Sequence, residues 1–277
     1  MKRILVVEDD RTTQHLIGSI LKTSGYTVTA VSDGAAALDE VRREPYDLVI
    51  TDIWMPSMNG LDLLAELRKL PRRPRTIVLT SDTTSETLLK ALREHAYQFL
   101  TKPVQATELK ELVDSALSAP VEIPPIEVIS AKQDWVELLV PCEMSTAERI
   151  QGFIARLDAD LSDEVRGAVG QVFREMLLNA IEWGGQLDPS RQVRIAWIRF
   201  RRMVLYRIAD PGPGFRFEDL THAAVSYAPE DRLQYVDKRL EKGLRPGGFG
   251  ILMAQAMVDE LIYNEVHNEV VFVKYLE

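Results

Sequence analysis

Five short apolar runs punctuate the first 118 residues, at 4–7, 27–31, 48–51, 76–80 and 97–100, and the stretches between them carry apolar side chains at helical spacing. Runs of this length, apolar almost without interruption, predict strands of a parallel sheet covered by helices on both faces. The alternation of strand and helix makes this a doubly wound (βα)5 domain of the α/β class. Ligands of such sheets bind at the carboxyl ends of the strands. The segment Ala119-Pro-Val-Glu-Ile-Pro-Pro-Ile126 then breaks the pattern with three prolines in six residues, which cannot continue a helix and favour an extended connector. A first domain is therefore expected over 1–118, a linker over 119–129 and a second domain over 130–277.

Beyond the linker, strands are predicted at 135–140, 193–200, 203–209, 261–263 and 270–275, with Arg201-Arg202 and His267-Asn268 in turns. Helices are predicted at 145–157, where Ser145 would cap and Glu148 follows three residues on, at 163–183 and at 249–260. In the second of these, Val165, Val169, Val172, Phe173, Met176, Leu177 and Ala180 share one broad apolar face. The expected architecture is an α/β sandwich, with helices on one face of a mixed, mostly antiparallel sheet.

Composition narrows the classes of function. A chain of 277 residues suits two domains, each with its own core. The net charge of −9 divides into 15 Lys and Arg against 17 Asp and Glu over 1–118, and 18 against 25 over the remainder. Neither part has the basic excess of a nucleic-acid binder, and no helix-turn-helix pattern is present. Cys142 is the single cysteine, so an intramolecular disulfide is impossible and nothing suggests a cysteine-based zinc site. No apolar run approaches the ~18 residues of a membrane span, and acids appear too early for a signal peptide. A soluble, cytoplasmic protein without a membrane partner is expected.

Candidate chemistry gathers at the predicted strand ends. Glu8, Asp9 and Asp10 end the first strand, Asp52 the third, Thr80 and Ser81 the fourth, and Lys102 follows the fifth and precedes Pro103. All converge on one sheet edge. Carboxylates gathered there repel unless a hard cation such as Mg²⁺, which prefers oxygen ligands, neutralises them. Asp52 can then act as nucleophile toward a phosphoryl donor, with Lys102 and the metal stabilising the transferring oxygens. Any one of these acids alone is more often a turn or cap residue, and only their coincidence points to a site.

With the loop Met55-Pro-Ser-Met-Asn-Gly60, these residues resemble a bacterial response-regulator receiver domain over 1–118. The resemblance implies Asp9 and Asp10 as Mg²⁺ ligands beside Asp52, with Asp52 as phospho-acceptor. It further implies Thr80 as switch hydroxyl, Phe99 as switch aromatic, Lys102 as phosphate-sensing cation, and a cognate sensor histidine kinase as partner. The chain departs from the family at His95-Ala96, where Gly-Ala is common.

In the second domain, Glu175 and Asn179 lie four apart on a predicted helix and so share a face. Asp210-Pro-Gly-Pro-Gly214 follows a predicted strand, and Arg245-Pro-Gly-Gly-Phe-Gly250 precedes a predicted helix. Glycines in loops are usually turns, and Glu and Asn at helical spacing are usually a solvated face. In this order, together with Val258-Asp-Glu-Leu261 and Asn268-Glu-Val270, they resemble the GHKL (Bergerat-type) ATP-binding fold in its anti-sigma serine-kinase branch, over about 130–277. The resemblance implies ATP and Mg²⁺ as cofactors, Asn179 as metal ligand and Glu175 as the group that orients or deprotonates an acceptor hydroxyl. It implies adenine recognition by Asp210, backbone approach at Gly212 and Gly214, and phosphate contacts at Gly247, Gly248, Gly250 and Arg245. Two departures stand out. Trp183 occupies the region where an Ile-x-His is common, and the segment 215–246 is longer than the lid of compact members, with helical spacing at Leu233, Val236 and Leu240.

The combination implies a two-component response regulator whose Asp52 phosphorylation controls an ATP-dependent protein serine/threonine kinase in partner switching. A STAS-type anti-sigma antagonist, a sigma factor, or both are the implied partners, and family habit points to a homodimer. A nucleotide-gated module that sequesters a partner without phosphorylating it stays open as the alternative, because binding and transfer share most of a pocket. None of His15, His95, His222 or His267 lies on a dimerisation helix ahead of the ATP domain, which disfavours a hybrid histidine kinase.

Overall fold

A computed structural model of the chain describes residues 1–81, 84–118, 125–216 and 249–277. The chain divides into two compact units, Met1–Glu122 and Ile123–Glu277. In the first, five strands alternate with five helices: β1 (Arg3–Val7), α1 (Arg11–Thr23), β2 (Thr27–Val31), α2 (Gly34–Arg43), β3 (Leu48–Asp52), α3 (Gly60–Arg68), β4 (Arg75–Thr80), α4 (Ser85–Arg93), β5 (Gln98–Thr101) and α5 (Ala106–Ser118). The sheet is parallel in the order β2-β1-β3-β4-β5.

The two-residue period of β1 explains why both faces are covered. Ile4 and Val6 pack with Ile17 and Leu21 of α1 and Leu109 and Val113 of α5. Leu5 and Val7 pack on the opposite face with Ala37 and Val41 of α2 and Leu63 and Leu67 of α3. Polar side chains set the helix starts: Asp10, Asp33 and Asn59 each accept backbone N–H bonds as N-caps of α1, α2 and α3.

The second unit contains β6 (Glu127–Lys132), β7 (Trp135–Pro141), α6 (Met144–Leu157), α7 (Asp163–Asn179), a π-helical turn (Ala180–Gly184), β8 (Gln192–Phe200), β9 (Met203–Ala209), α8 (Gly250–Met257), β10 (Glu260–Tyr263) and β11 (Glu269–Tyr275). Its six strands run in the order β10-β11-β9-β8-β7-β6. Among the described residues every neighbouring pair is antiparallel, in keeping with the mostly antiparallel sheet expected. Two successive helices, α6 and α7, return the chain to its starting side, and β8 therefore runs antiparallel to β7.

Other local differences have local causes. Strand β6 begins at Glu127, inside the segment 119–129 expected to be linker. Ser145 does not cap α6: the helix starts at Met144 after Glu143, and the Ser145 hydroxyl bonds the Glu143 carboxylate. The last helix stops at Met257 because Val258 is already extended. At the centre of the core, Tyr206 stacks on Phe272 with ring centroids 4.7 Å apart. The buried Asp158 carboxylate accepts from Trp197 Nε1 at 3.0 Å and from the Tyr206 hydroxyl. Among the described residues, no helix is long and apolar enough to cross a membrane.

Candidate functional site

The acid edge of the first unit is built by strands that end together. Glu8 and Asp9 follow β1, Asp52 closes β3, Thr80 closes β4, and Lys102 follows β5. Glu8 is wholly buried and Asp52 nearly so. One carboxylate oxygen from each of Glu8, Asp9 and Asp52 lies within 4.8 Å of the others. Lys102 Nζ stands 2.6 Å from Asp52 Oδ2 and 2.8 Å from Glu8 Oε2, and its backbone N–H donates to the Thr80 carbonyl at 3.0 Å. Asp52 Oδ1 accepts from Ile53 N at 2.7 Å. Thr80 and Phe99 are buried beside this edge.

Electrostatics follow from the burial. Loss of water pushes the Glu8 carboxyl above its ordinary range, despite the opposing Lys102 bond. For Lys102, burial lowers the pKa, but bonds to Asp52 and Glu8 outweigh it and the ammonium ends above its usual value. Glu8 Oε2 is buried and makes no hydrogen bond, although the ammonium approaches it as an ion pair. Three converging carboxylates with one such oxygen suit a hard, oxygen-seeking cation.

Asp10, expected among the cation ligands, is placed otherwise. Its carboxylate caps α1, accepting from Thr13 N at 2.7 Å, and Glu8 takes the third place in the acid cluster. That backbone bond holds the Asp10 carboxyl below its usual range. Gly60 shows why the loop after β3 has its sequence: a Cβ there would lie 2.0 Å from the Asp52 carbonyl oxygen. The same absence of a side chain lets α3 begin directly against the strand end that carries Asp52.

In the second unit, α7 starts at the Ser162 cap and buries Val169, Val172, Phe173, Met176 and Leu177. Glu175 and Asn179 are left half-buried on another face. A Cβ on Gly250, the first residue of α8, would lie 2.9 Å from Glu175 Oε2 and 3.8 Å from Asn179 Nδ2. Gly250, Glu175 and Asn179 therefore meet at one point.

The helix expected to reach Trp183 changes character at Ala180. The Gly185 N–H bonds the Ala180 carbonyl at 2.8 Å, the five-residue step of a π turn, a feature frequent at functional sites. This wider turn presses Gly184 against Asp210, where a Cβ would lie 2.1 Å from Oδ1. Trp183, in the same turn, is half exposed. Gly185 backs onto Cys142, a buried packing residue whose thiol burial pushes up to about 11.

Asp210 and the two glycines after it form a pinned loop. Gly212 N donates to Asp210 Oδ1 at 2.7 Å, and burial raises the Asp210 carboxyl above its ordinary range against that bond. Gly214 has φ of 84°, and a Cβ there would lie 1.7 Å from the Val266 carbonyl oxygen. Only glycine fits. The single turn Ala180–Gly184 links the Glu175–Asn179–Gly250 group to the Asp210–Gly212 group. Arg245, Gly247, Gly248 and the helical spacing at Leu233, Val236 and Leu240 lie outside the described residues. Sequence reasoning missed Gly184 and Gly185, whose signal was a glycine pair directly after Glu-x-x-x-Asn.

A parallel five-stranded sheet with acids, a threonine and a lysine at its carboxyl edge, followed by an antiparallel α/β unit with a glycine-lined cradle, defines a receiver joined to an ATPase-type fold. Residues 4–114 match the response regulator receiver domain and residues 141–274 the histidine kinase-like ATPase domain. The chain belongs to the response-regulator family and carries a second domain of the GHKL type. It is 32% identical over 184 residues to the DNA-binding response regulator MtrA of Mycolicibacterium smegmatis, covering 66% of this chain and 78% of that one. Over 117 residues it is 34% identical to the two-component response regulator ORR5 of Oryza sativa subsp. japonica, covering 41% and 87%. To the transcriptional regulatory protein GlrR of Escherichia coli K12 it is 30% identical over 182 residues, covering 64% of this chain. The chain spans 39% of GlrR's length.

Proposed function

We propose that Asp52 accepts a phosphoryl group from a sensor histidine kinase, and that the second unit is an ATP-dependent protein serine/threonine kinase controlled by that event. The acceptor in this reading is a STAS-type antagonist in a partner-switching circuit. The observation that carries the output assignment is the meeting of Glu175, Asn179 and Gly250, which brings the first turn of α8 against both side chains.

In the receiver, Glu8, Asp9 and Asp52 would hold Mg²⁺, and an Asp52 oxygen attacks the donor's phosphorus as the bond to the donor breaks. Lys102 and Thr80 then face the added phosphoryl oxygens. In the output unit, Asp210 accepts from the adenine amine while Gly212 and Gly214 admit the base, and Asn179 would hold a second Mg²⁺. Backbone N–H groups opening α8 at Gly250, with Gly247, Gly248 and Arg245 from the preceding sequence, receive phosphates. Glu175 takes the proton from the acceptor hydroxyl. Mg²⁺, when bound, supplies positive charge to the transferring oxygens.

The test incubates the full chain with radiolabelled ATP and candidate STAS proteins. Label on a serine or threonine of the acceptor, lost in Glu175→Ala while ATP affinity persists, supports the kinase. ATP-dependent capture without label assigns the nucleotide-gated binder instead. Equal rates for wild type, Asp52→Ala and beryllofluoride-treated protein would remove the coupling between the units.

A further inference from the structure

The loop after β9 is poorly able to hold itself. In Asp210-Pro-Gly-Pro-Gly214 the two prolines have no N–H, so between residues 211 and 214 only Gly212 and Gly214 are backbone donors. Arg191 Nη2 donates to the Pro211 carbonyl at 2.7 Å, and the remaining bonds to the loop come from the turn between β10 and β11. Asp210 N donates to the Asn268 carbonyl at 2.9 Å, and Phe215 N to the Val266 carbonyl at 3.1 Å. Asn268 Nδ2 donates to the Gly212 carbonyl at 3.0 Å. The His267 ring stacks on Phe215 with centroids 5.3 Å apart, and its Nδ1 lies 2.8 Å from the Phe215 carbonyl oxygen.

The orientation of the Asn268 amide follows from its partners. Asn264 Oδ1 accepts from the backbone N–H of Asn268 at 3.1 Å and of Glu269 at 3.2 Å. Its Nδ2 therefore faces outward and donates to Asn268 Oδ1 at 2.7 Å. With that oxygen engaged, Asn268 can present only its Nδ2 to Gly212. Gly212 is thus clamped on both sides of its Cα, its carbonyl by Asn268 and its N–H by Asp210 Oδ1.

We propose that Asn268 is a positioning residue for base selection: by clamping Gly212 it fixes the Asp210 carboxylate with Oδ1 engaged and Oδ2 offered to the base. This rests on the nucleotide assignment of Asp210 made above. An ionised carboxylate is purely an acceptor, so the offered oxygen favours a base bearing an exocyclic amine and rejects one bearing a carbonyl at that point. Base selectivity in this chain therefore depends on the Asn264–Asn268 pair in a hairpin remote in sequence from Asp210.

The experiment measures ATP and GTP affinity of the full chain by calorimetry, with melting curves, for wild type, Asn268→Asp and Asn264→Ala. Asp at 268 keeps the size and the bond from Asn264 but has no donor for the Gly212 carbonyl. It is expected to weaken ATP binding about tenfold and to narrow the ATP-to-GTP preference, since a buried acceptor facing a carboxylate is left unpaired. Asn264→Ala, which frees the Asn268 amide to flip, is expected to narrow the preference less, and it carries the test if Asn268→Asp fails to fold. Variants with wild-type affinities, or with ATP and GTP weakened in equal proportion, overturn the role. Wild-type protein that binds no ATP removes the nucleotide assignment and this role with it, whereas intact wild-type binding with unchanged variants removes this role alone.

Discussion

Lys102 Nζ stands 2.6 Å from Asp52 Oδ2, in a pair whose carboxylate side chain is only 8% exposed. The ammonium comes from the loop after β5 and the carboxylate from the end of β3, so the pair spans β4 and ties three strand ends together. The same ammonium lies against the wholly buried Glu8. Lys102 is thus the positive charge that lets two buried acids coexist in this edge.

Replacing Lys102 by Met removes that charge and leaves both acids buried. Removing one partner of a buried ion pair is expected to cost about 3 kcal/mol at neutral pH. Added Mg²⁺ should then raise the melting temperature of the variant more than that of the wild type, because it restores the missing charge. Melting curves with and without Mg²⁺ decide this, and equal stabilisation of the two proteins would contradict it.

Asp9 and Asp10 are adjacent in sequence but are expected to fail differently. Asp10→Ala loses the cap on α1 and should cost about 1 kcal/mol of stability while leaving Mg²⁺ affinity unchanged. Asp9→Ala should spare stability and weaken Mg²⁺ binding. Urea melts paired with Mg²⁺ titrations separate the two, and a loss of Mg²⁺ affinity in Asp10→Ala would return that residue to the cation site.

Two glycines of the second unit should also separate binding from transfer. A Cβ at 184 would lie 2.1 Å from Asp210 Oδ1 and 2.4 Å from its Cβ, so the whole acid must move. Gly184→Ala is expected to abolish ATP binding and to cost about 1 to 3 kcal/mol through overpacking. At 250 the added methyl meets only the far end of Glu175, which can turn aside. Gly250→Ala should therefore bind ATP yet transfer phosphoryl groups slowly, as calorimetry and label transfer would show.

His95 occupies a backbone position that suits glycine. Its φ is 63°, and it ends α4 in a paired motif: His95 N bonds the Leu92 carbonyl and Ala96 N the Ala91 carbonyl, each at 2.9 Å. This Schellman arrangement places a left-handed residue just past the helix, which accounts for the Gly-Ala common in relatives of this fold. His95→Gly is expected to stabilise the first unit by about 1 kcal/mol, raising its melting temperature. A lower melting temperature would mean that the imidazole contributes more than its backbone costs.

Much of this was legible because apolar periodicity is strong where burial is complete. The five parallel strands are almost uninterrupted apolar runs, and their ends placed Asp52, Thr80 and Lys102 on one edge. What was not legible depended on register or close approach. Three consecutive acids at 8–10 cannot be told apart until the helix is known to start at Arg11, which makes Asp10 the cap. Strand β6 lies at a sheet edge, with Glu127, Ile129 and Lys132 exposed, so its alternation carries no core signal. The π turn keeps apolar side chains at nearly helical spacing and is visible only through the contact of Gly184 with Asp210.

The core of the second unit makes its own pH prediction through Asp158. Its carboxyl is pushed above the ordinary value of 3.8 by burial, which outweighs the bonds from Tyr206 and Trp197. The folded state therefore holds this proton more tightly than the unfolded chain. The stability that accompanies protonated Asp158 is complete below the unfolded value and is lost as pH climbs through the raised folded one. Asn at 158 has no proton to lose and keeps an acceptor for Trp197 Nε1. Groups with lowered values, such as Asp188, Asp259 and Glu269, are common to both proteins and cancel in the comparison. The stability difference between Asp158→Asn and wild type should accordingly shift toward the variant as pH rises above the ordinary value of 3.8. Urea melts across that rise in pH measure it directly, and a difference that stays flat would show that Asp158 titrates alike in the folded and unfolded chains.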